Sequence, residues 1–189
     1  MLEGAILVIV LVIVAVWGVS IYNRLVRLRA LVKEGFSGIT VQLRRRADLI
    51  PNLVSTVEGY AAHERATLNE VIAHRGDAAS AGGVAVTAAA DSAFSAMLGR
   101  LLAVAEDYPE LKADANFRQL QEELSEVEDH LQSARRYYNA TVRDLNTRIQ
   151  SFPDLLFARP LGFTEAESYQ DGDASIQQAP KVAFGAAKA

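Results

Sequence analysis

An uninterrupted apolar run near the start of the chain constrains its fold more than any other feature. Residues 4–22 read GAILVIVLVIVAVWGVSIY, nineteen positions without a charge. Ten of the twelve Ile, Leu and Val residues there are β-branched, which is typical of a buried strand, but strands rarely exceed about ten residues. A helix of this length spans about 29 Å, close to the bilayer hydrocarbon thickness of about 30 Å. We therefore predict one transmembrane helix, with residues 1–23 as the membrane segment.

A cleavable signal peptide is the alternative interpretation of this run. Such a peptide begins with basic residues and ends at a small-x-small site, whereas this chain begins MLEG and no A-x-A sequence follows. The chain has no cysteine, so disulfides, thiolate metal sites and thiol-linked lipids are excluded and membrane attachment depends on the apolar run.

Basic residues follow the run within a dozen positions, whereas the preceding residues include no Lys or Arg. By the positive-inside rule we expect the N-terminus outside and the bulk of the chain in the cytoplasm. The juxtamembrane basic residues are Arg24, Arg27, Arg29 and Lys33.

Beyond the apolar run, hydrophobic residues recur every three or four positions from Leu25 to Val71, which predicts an amphipathic helix. Arg46 fills the one polar slot in this stripe, and Pro51 predicts a kink or break that leaves two helical pieces of about 25 residues each. Residues 76–87 are rich in small residues and predict a loop. A second helix is expected after this loop, ending near Asp107, and its apolar face comprises Phe94, Met97, Leu101, Val104 and Tyr108.

A third helix carries the most regular stripe and extends over roughly 36 residues, from Phe117 to Pro153. Its apolar positions are Phe117, Leu120, Leu124, Val127, Leu131, Ala134, Tyr138, Val142, Leu145, Ile149 and Phe152. Long striped helices joined by short turns can bury their stripes in antiparallel fashion. We therefore predict an all-α protein, in which an elongated antiparallel helical bundle over residues 24–153 follows the membrane helix.

Residues 154–189 predict an irregular tail, because Pro, Gly, Asp and Ser interrupt any helical period. We expect this tail to lie on the bundle through Leu155, Leu156 and Phe163. Its last apolar residues, Val182 and Phe184, either dock on a partner or fray.

Charge divides along the chain. Residues 24–76 hold nine Lys and Arg against five Asp and Glu, while residues 77–189 hold ten against seventeen. The positive segment lies next to the predicted span, where an anionic leaflet attracts it. We expect no nucleic-acid partner, because the chain has a pI of about 5.4 and its densest basic run holds three arginines.

Three separated blocks and a closing motif carry a resemblance to a known family. The first block is residues 22–75, from YNRLVRLRALVKEGF to IAHR; the second is YPELKADANFRQLQEEL and the third is RRYYNATVRDLNTRIQSFP. The tail adds GF at residues 162–163 and APKVAF at residues 179–184. In this order the blocks resemble the LemA family of bacterial membrane proteins. The resemblance implies a helical bundle behind one N-terminal membrane helix in the bacterial inner membrane, and it implies no catalytic residue.

The candidate metal ligands in the chain are poorly spaced. His63 and His74 stand eleven residues apart, about 16 Å along a helix, so one ion cannot join them. We expect no metal site and no cofactor. Tyr138 is interpreted as a partly buried bundle residue whose hydroxyl reaches a polar partner.

The run RRRADLIPNL joins cations, an acid, an amide and a proline in ten residues. One interpretation is structural: Asp48 pairs with Arg44 or Arg45, and Asn52 caps the backbone after a break. The other is a docking surface or hinge. The candidate docking and hinge residues are Arg44, Arg45, Arg46, Asp48, Pro51 and Asn52.

These observations favour a membrane-anchored scaffold or adaptor without catalytic activity, which binds an unidentified membrane or cytoplasmic protein or forms homo-oligomers. A lipid-contacting protein that organises or remodels membranes is the first alternative, because of the juxtamembrane basic residues. The second alternative is an enzyme that uses the helix-borne acids and histidines, for which no phosphate loop, nucleophile elbow or kinase motif is present.

Overall fold

The structure is a computed structural model, which describes residues 2–61 and 63–170. Every element in this part of the chain is a helix, and no strand occurs there. The predicted all-α class is confirmed. In chain order the helices are α1 (Leu2–Glu58), α2 (Arg65–His74), α3 (Asp77–Ser80), α4 (Val84–Glu106), α5 (Pro109–Ala113), α6 (Ala115–Gln150) and α7 (Leu155–Ala158).

Helix α1 contains both the apolar run and the first wall of the bundle. It is 57 residues long and passes from residues 4–22 into the amphipathic segment without interruption. The apolar run is almost entirely uncovered by the rest of the chain, and it is long and apolar enough to cross a membrane. From residue 24 to its end, α1 extends about 50 Å beyond this run.

The predicted break at Pro51 is wrong, because α1 continues through Pro51 to Glu58. A proline inside a helix costs about 3 kcal/mol, since it lacks the N–H that would bond the carbonyl four residues earlier. Ile50, Leu53 and Val57 are fully buried around it, and each such side chain contributes about 1.5–3 kcal/mol. Burial therefore outweighs the proline, and the chain leaves the helix only at the turn after Glu58.

Helix α6 returns antiparallel along α1 and forms the second long wall. It begins at Ala115 because the Asp114 side chain caps it, accepting the Phe117 N–H at 2.9 Å. This bond lowers the pKa of Asp114 below its ordinary value. The predicted stripe faces the core except at its last position, since Phe152 lies beyond the helix and is 80% exposed.

Helices α2, α4 and α5 complete the end of the bundle that lies farther along α1 from the apolar run, whereas α3 packs in the middle of the bundle. Helix α2 packs against α4, and α5 carries the chain into α6. The loop predicted over residues 76–87 is only partly present, because α3 occupies residues 77–80 and α4 begins at Val84. Helix α4 thus starts inside the predicted loop and ends at Glu106, as expected.

Among the described residues, the core consists of three clusters stacked along the rod. The distal cluster joins α1, α2, α4, α5 and α6 around Leu53 and Leu101; the middle cluster lies around Ile39 and Tyr138. The proximal cluster, next to the apolar run, holds Leu25 and Ile149 with residues that follow α6. The rod is therefore four helices thick at its distal end and mainly two helices thick at its proximal end.

The tail folds back along the thin half of the rod. After α7 the chain reverses in a helix-ending turn, in which Gly162 has φ +77° and the Phe163 N–H donates to the Ala158 carbonyl at 2.9 Å. We call residues 163–170 the tail strap. Phe163 is buried as predicted, whereas Leu156 is 60% exposed. The predicted docking of Val182 and Phe184 falls outside the described residues.

The close approach of α1 and α6 at Gly35 can be tested by substitution. A Cβ on Gly35 would lie 3.1 Å from the Tyr138 Cα, whereas one on Gly38 meets nothing within 4 Å. Gly38→Ala is expected to stabilise the chain by about 0.5–1 kcal/mol through helix propensity. Gly35→Ala is expected to destabilise it by about 1–3 kcal/mol, because the two backbones must separate. Thermal unfolding of the detergent-solubilised chain, followed by circular dichroism, compares the two; equal gains would contradict this crossing.

Candidate functional site

The most distinctive polar feature of the structure is a buried carboxylate on α4 that receives two arginines and a tyrosine. Asp91 is 1% exposed and accepts Arg46 of α1 at 3.0 Å, Arg135 of α6 at 2.5 Å and the Tyr169 hydroxyl of the tail strap at 2.7 Å. Arg46 also donates to Ser95 at 2.9 Å. We call Arg46, Asp91, Arg135 and Tyr169 the Asp91 cluster.

The Asp91 cluster joins three helices and the tail strap. A buried carboxylate loses several kcal/mol of hydration, which only close cations and hydrogen bonds offset. Here the compensating groups come from three other elements, so α1, α4, α6 and the tail strap have to meet for the charge to be satisfied.

Helix α4 is also long and apolar enough to cross a membrane. It packs on α2 and α3, however, and its Asp91 is paired inside the protein, so α4 is a wall of the bundle.

Tyr169 closes the Asp91 cluster from the tail side. Burial, followed by the hydrogen bond to the Asp91 carboxylate, raises the pKa of Tyr169 far above its ordinary value. The Arg135 guanidinium lies over the Tyr169 ring at 5.5 Å. The hydroxyl therefore stays protonated and donates to Asp91 across the physiological pH range.

Two asparagines on α6 hold the backbone of the tail strap. Asn146 bonds both backbone groups of Ala166, and Asn139 bonds both backbone groups of Tyr169, all at 2.8–2.9 Å. Seven helical residues rise about 10.5 Å, which matches three extended residues of the strap. Between them the Tyr138 hydroxyl donates to the Glu167 carbonyl at 2.7 Å, which confirms the predicted polar partner, although Tyr138 is fully buried.

The structure divides the candidate docking and hinge residues. Arg46 is buried in the Asp91 cluster, where it also lines a groove between α4 and α6. Arg45, Asp48 and Asn52 are exposed and lie along one face of α1. The expected pairing of Asp48 is not observed among the described residues, since Arg45 instead pairs with Glu126 of α6 at 3.5 Å. Arg44 and Pro51 are also exposed, and α1 continues through Pro51.

A shallow polar groove of about 380 Å³ extends this exposed face between α1 and α6. We call Arg45, Asp48, Asn52 and this groove the docking face. The groove is lined by Asn52, Ser55 and Thr56 from α1 and by Asn116, Gln119 and Glu123 from α6.

The juxtamembrane basic residues are all exposed, as an attraction to headgroups requires. Arg24 and Arg27 line a groove of about 440 Å³ between α1 and α6. The Arg29 guanidinium lies 4.9 Å from the centre of the Phe163 ring, so one basic residue also holds the start of the tail strap.

The histidines lie apart, as their spacing predicts. His63 lies in the turn before α2, and His74 ends that helix with Nδ1 2.7 Å from an Asp77 carboxylate oxygen. Within residues 2–61 and 63–170, no group of three metal-ligating side chains comes together.

Sequence analysis missed Asp91, Asn139 and Asn146. A signal for Asp91 exists, because it lies three residues before Phe94 and thus on the buried stripe of α4, just as Arg46 lies on the stripe of α1. An acid and a base, each on an apolar stripe, indicate a buried pair. No comparable signal marks the asparagines, because their partners are backbone groups of an extended segment.

The chain is similar to one protein family and to several magnetosome proteins. The model of the LemA family matches residues 35–184. Magnetosome proteins MamQ 1 and MamQ 2 of Paramagnetospirillum magneticum are each 28% identical over 184 residues, covering 82% of this chain and 68% of the relative. Magnetosome protein MamQ of Magnetospirillum gryphiswaldense is 26% identical with the same coverage.

The Asp91 cluster generates a stability test. Asp91→Asn removes the nearest counter-charge of Arg46 and Arg135, which keep Glu128 at 3.6 Å, and is expected to destabilise the chain by about 3–5 kcal/mol. The matched control is Glu70→Gln, which removes an exposed partner 3.0 Å from Arg100 and should cost at most about 1 kcal/mol. Urea unfolding of the detergent-solubilised chain measures both, and similar effects would contradict the role of the cluster.

The raised pKa values of Tyr138 and Tyr169 predict that the tail strap is released at alkaline pH. Burial raises the pKa of both Tyr138 and Tyr169, so docking is fully stable below the unfolded pKa of about 10 and weakens as the pH rises above it. Since the chain has no cysteine, a spin label at Gln170→Cys reports strap mobility without interference. The label is expected to become mobile above pH 10. An unchanged transition in a Tyr138→Phe, Tyr169→Phe variant would contradict this origin.

Proposed function

Because the chain belongs to the LemA family and carries an apolar helix of membrane-spanning length, we propose that it is a membrane-anchored scaffold. In this proposal the bundle is a rod that presents its side to protein partners or to copies of itself. The basic residues after the span favour an orientation with the bundle in the cytoplasm of a bacterial cell and the span in its inner membrane.

The continuity of α1 is the observation that carries this proposal. The same helix forms the apolar run and the first wall of the bundle, with no linker between them. A flexible linker would let the bundle sample many heights and tilts, whereas a continuous helix transmits the position of the span to the rod. Surfaces on the rod are therefore held at set distances from the bilayer, up to about 50 Å away.

The docking face is the surface we assign to partners. Its residues lie in the distal half of the rod, and its polar side chains are exposed. The Arg45–Glu126 pair on this face is exposed at both ends and contributes at most about 1 kcal/mol to folding. A partner can therefore bind either charge by breaking this pair, with little loss of folding stability.

We also propose that the Asp91 cluster is structural rather than catalytic. The carboxylate accepts hydrogen bonds from Arg46, Arg135 and Tyr169, so its oxygens are already engaged by groups of the chain. A general acid or base needs an oxygen that can reach a substrate proton.

The scaffold proposal is tested with the full chain in lipid nanodiscs or mild detergent. Multi-angle light scattering should reveal a homo-oligomer or a stoichiometric complex with a co-purified protein. Asp48→Arg with Asn52→Arg changes the docking face and is expected to weaken that association at least about tenfold, or 1.4 kcal/mol.

The matched control places the same charge change on exposed positions of α4, through Glu106→Arg with Ser92→Arg. This control should associate like the unmodified chain. A clean monomer at membrane-like concentration would contradict the scaffold role, and equal weakening in both variants would contradict the docking face.

A further inference from the structure

The proximal end of the rod exposes an apolar surface beside the membrane helix. It comprises α7 and its neighbours over residues 152–161, which we call the proximal patch. Phe152 is 80% exposed, Leu156 60% and Leu161 45%, and Leu155 is also exposed. Single exposed apolar side chains are ordinary, but several within ten residues at one end of a rod form a patch that needs an explanation.

Contacts with α1 set the height of the proximal patch. The Phe157 ring meets the Trp17 ring edge to face, with centroids 5.7 Å apart. A Cβ on Gly18 would lie 3.7 Å from the same Phe157 ring. Trp17 and Gly18 both belong to the apolar run, so α7 packs against the part of α1 that we place in the membrane.

The distance along α1 excludes a position above the bilayer. Trp17 precedes Arg24, the first charge after the run, by seven residues, or about 10 Å of helix. The headgroup layer of one leaflet is about 5–8 Å thick. If Arg24 lies at the outer edge of the headgroups, Phe157 lies near the level where acyl chains begin.

The charges around the proximal patch suit this depth. The one acid between Phe152 and Phe163 is Asp154, which is buried and paired with Arg148. Its negative charge is therefore withdrawn from the surface that faces the lipid. The remaining charge of the segment, Arg159, is exposed and can extend toward anionic headgroups.

We propose that the proximal patch is a second membrane contact, which inserts Phe152, Leu156 and Leu161 at the boundary between headgroups and acyl chains. This inference rests on the proposed membrane anchoring of residues 4–22. A span alone leaves the rod free to rotate about its axis, whereas a span with a second contact beside it sets both tilt and rotation. The docking face then points in one direction relative to the bilayer.

The same contact couples the membrane surface to the Asp91 cluster. The tail strap begins at Phe163, two residues after the proximal patch, and carries Tyr169 into the cluster. Phe163 is held by the Tyr22 ring at 5.8 Å and by the Arg29 guanidinium. The strap therefore connects the lipid-facing end of the rod to its middle.

Depth measurement by spin labelling tests this inference on the full chain. Leu156→Cys is labelled with a nitroxide in nanodiscs of phosphatidylethanolamine and phosphatidylglycerol. Its collisions with oxygen, which concentrates in lipid, are compared with those of a water-soluble nickel complex. Val10→Cys in the apolar run and Val86→Cys on α4 are the lipid and water references, and all three positions are exposed on the protein.

The expected ratio of oxygen to nickel collisions at position 156 is several-fold higher than at position 86. A ratio at position 156 equal to that at position 86, with position 10 deep in lipid, overturns the second contact and leaves the anchor intact. Protection of position 156 from both reagents also overturns it, because a protein then covers the patch. If position 10 is aqueous, both the anchor and this inference fail.

A substitution provides an independent measure. In a Phe152→Cys labelled chain, Leu156→Glu adds a charge to the proximal patch and is expected to shift the label toward the aqueous ratio. Val86→Glu, at a similarly exposed valine, should leave the label at position 152 unchanged. Equal ratios in these two variants would count against insertion, and circular dichroism verifies that both remain helical.

Discussion

One helix of this protein has to satisfy two solvents. The first part of α1 is apolar on all sides, as lipid requires, whereas its continuation has a single buried stripe and an exposed polar side. Because no linker separates the two parts, every other element is placed relative to the apolar run through its contact with α1. Helix α6 covers the stripe along its length, and the distal helices and the tail strap cover the remaining sides.

The Asp91 cluster makes this arrangement specific. Apolar stripes on long helices can slide or rotate with little loss, since one Leu or Val replaces another in the interface. A buried carboxylate can be satisfied in only one register, in which Arg46, Arg135 and Tyr169 all reach it. The asparagine contacts do the same for the strap, because each side-chain amide matches both backbone groups of one residue. The rod is thus stabilised by apolar burial and aligned by polar groups.

Particular residues show how far sequence reasoning reaches. The buried stripe on α6 was predictable almost to its end, because a regular spacing over 36 residues is a strong signal even where single positions deviate. The prediction that Phe152 belongs to the stripe was wrong, because the helix ends two residues earlier. The prediction of a break at Pro51 was wrong because the cost of a proline in a helix competes with the free energy of burying the neighbouring side chains. That burial depends on how the helices pack. Arg46 was noticed as an exception in its stripe but was grouped with the candidate docking and hinge residues, since its partner lies 45 residues away in sequence. The sequence could not show which candidate docking residues are exposed, because exposure depends on how the helices pack.

The sequence alone determines the apolar run, the helical class and the lengths of the two long walls, because hydrophobic run length and helical period are local properties. It also carries the LemA family blocks. Tertiary structure decides which charges are buried, where the strap runs and at what height α7 meets the apolar run. These outcomes depend on contacts between residues far apart in the chain, and their energies arise from desolvation and from register, which appear only when the helices have packed.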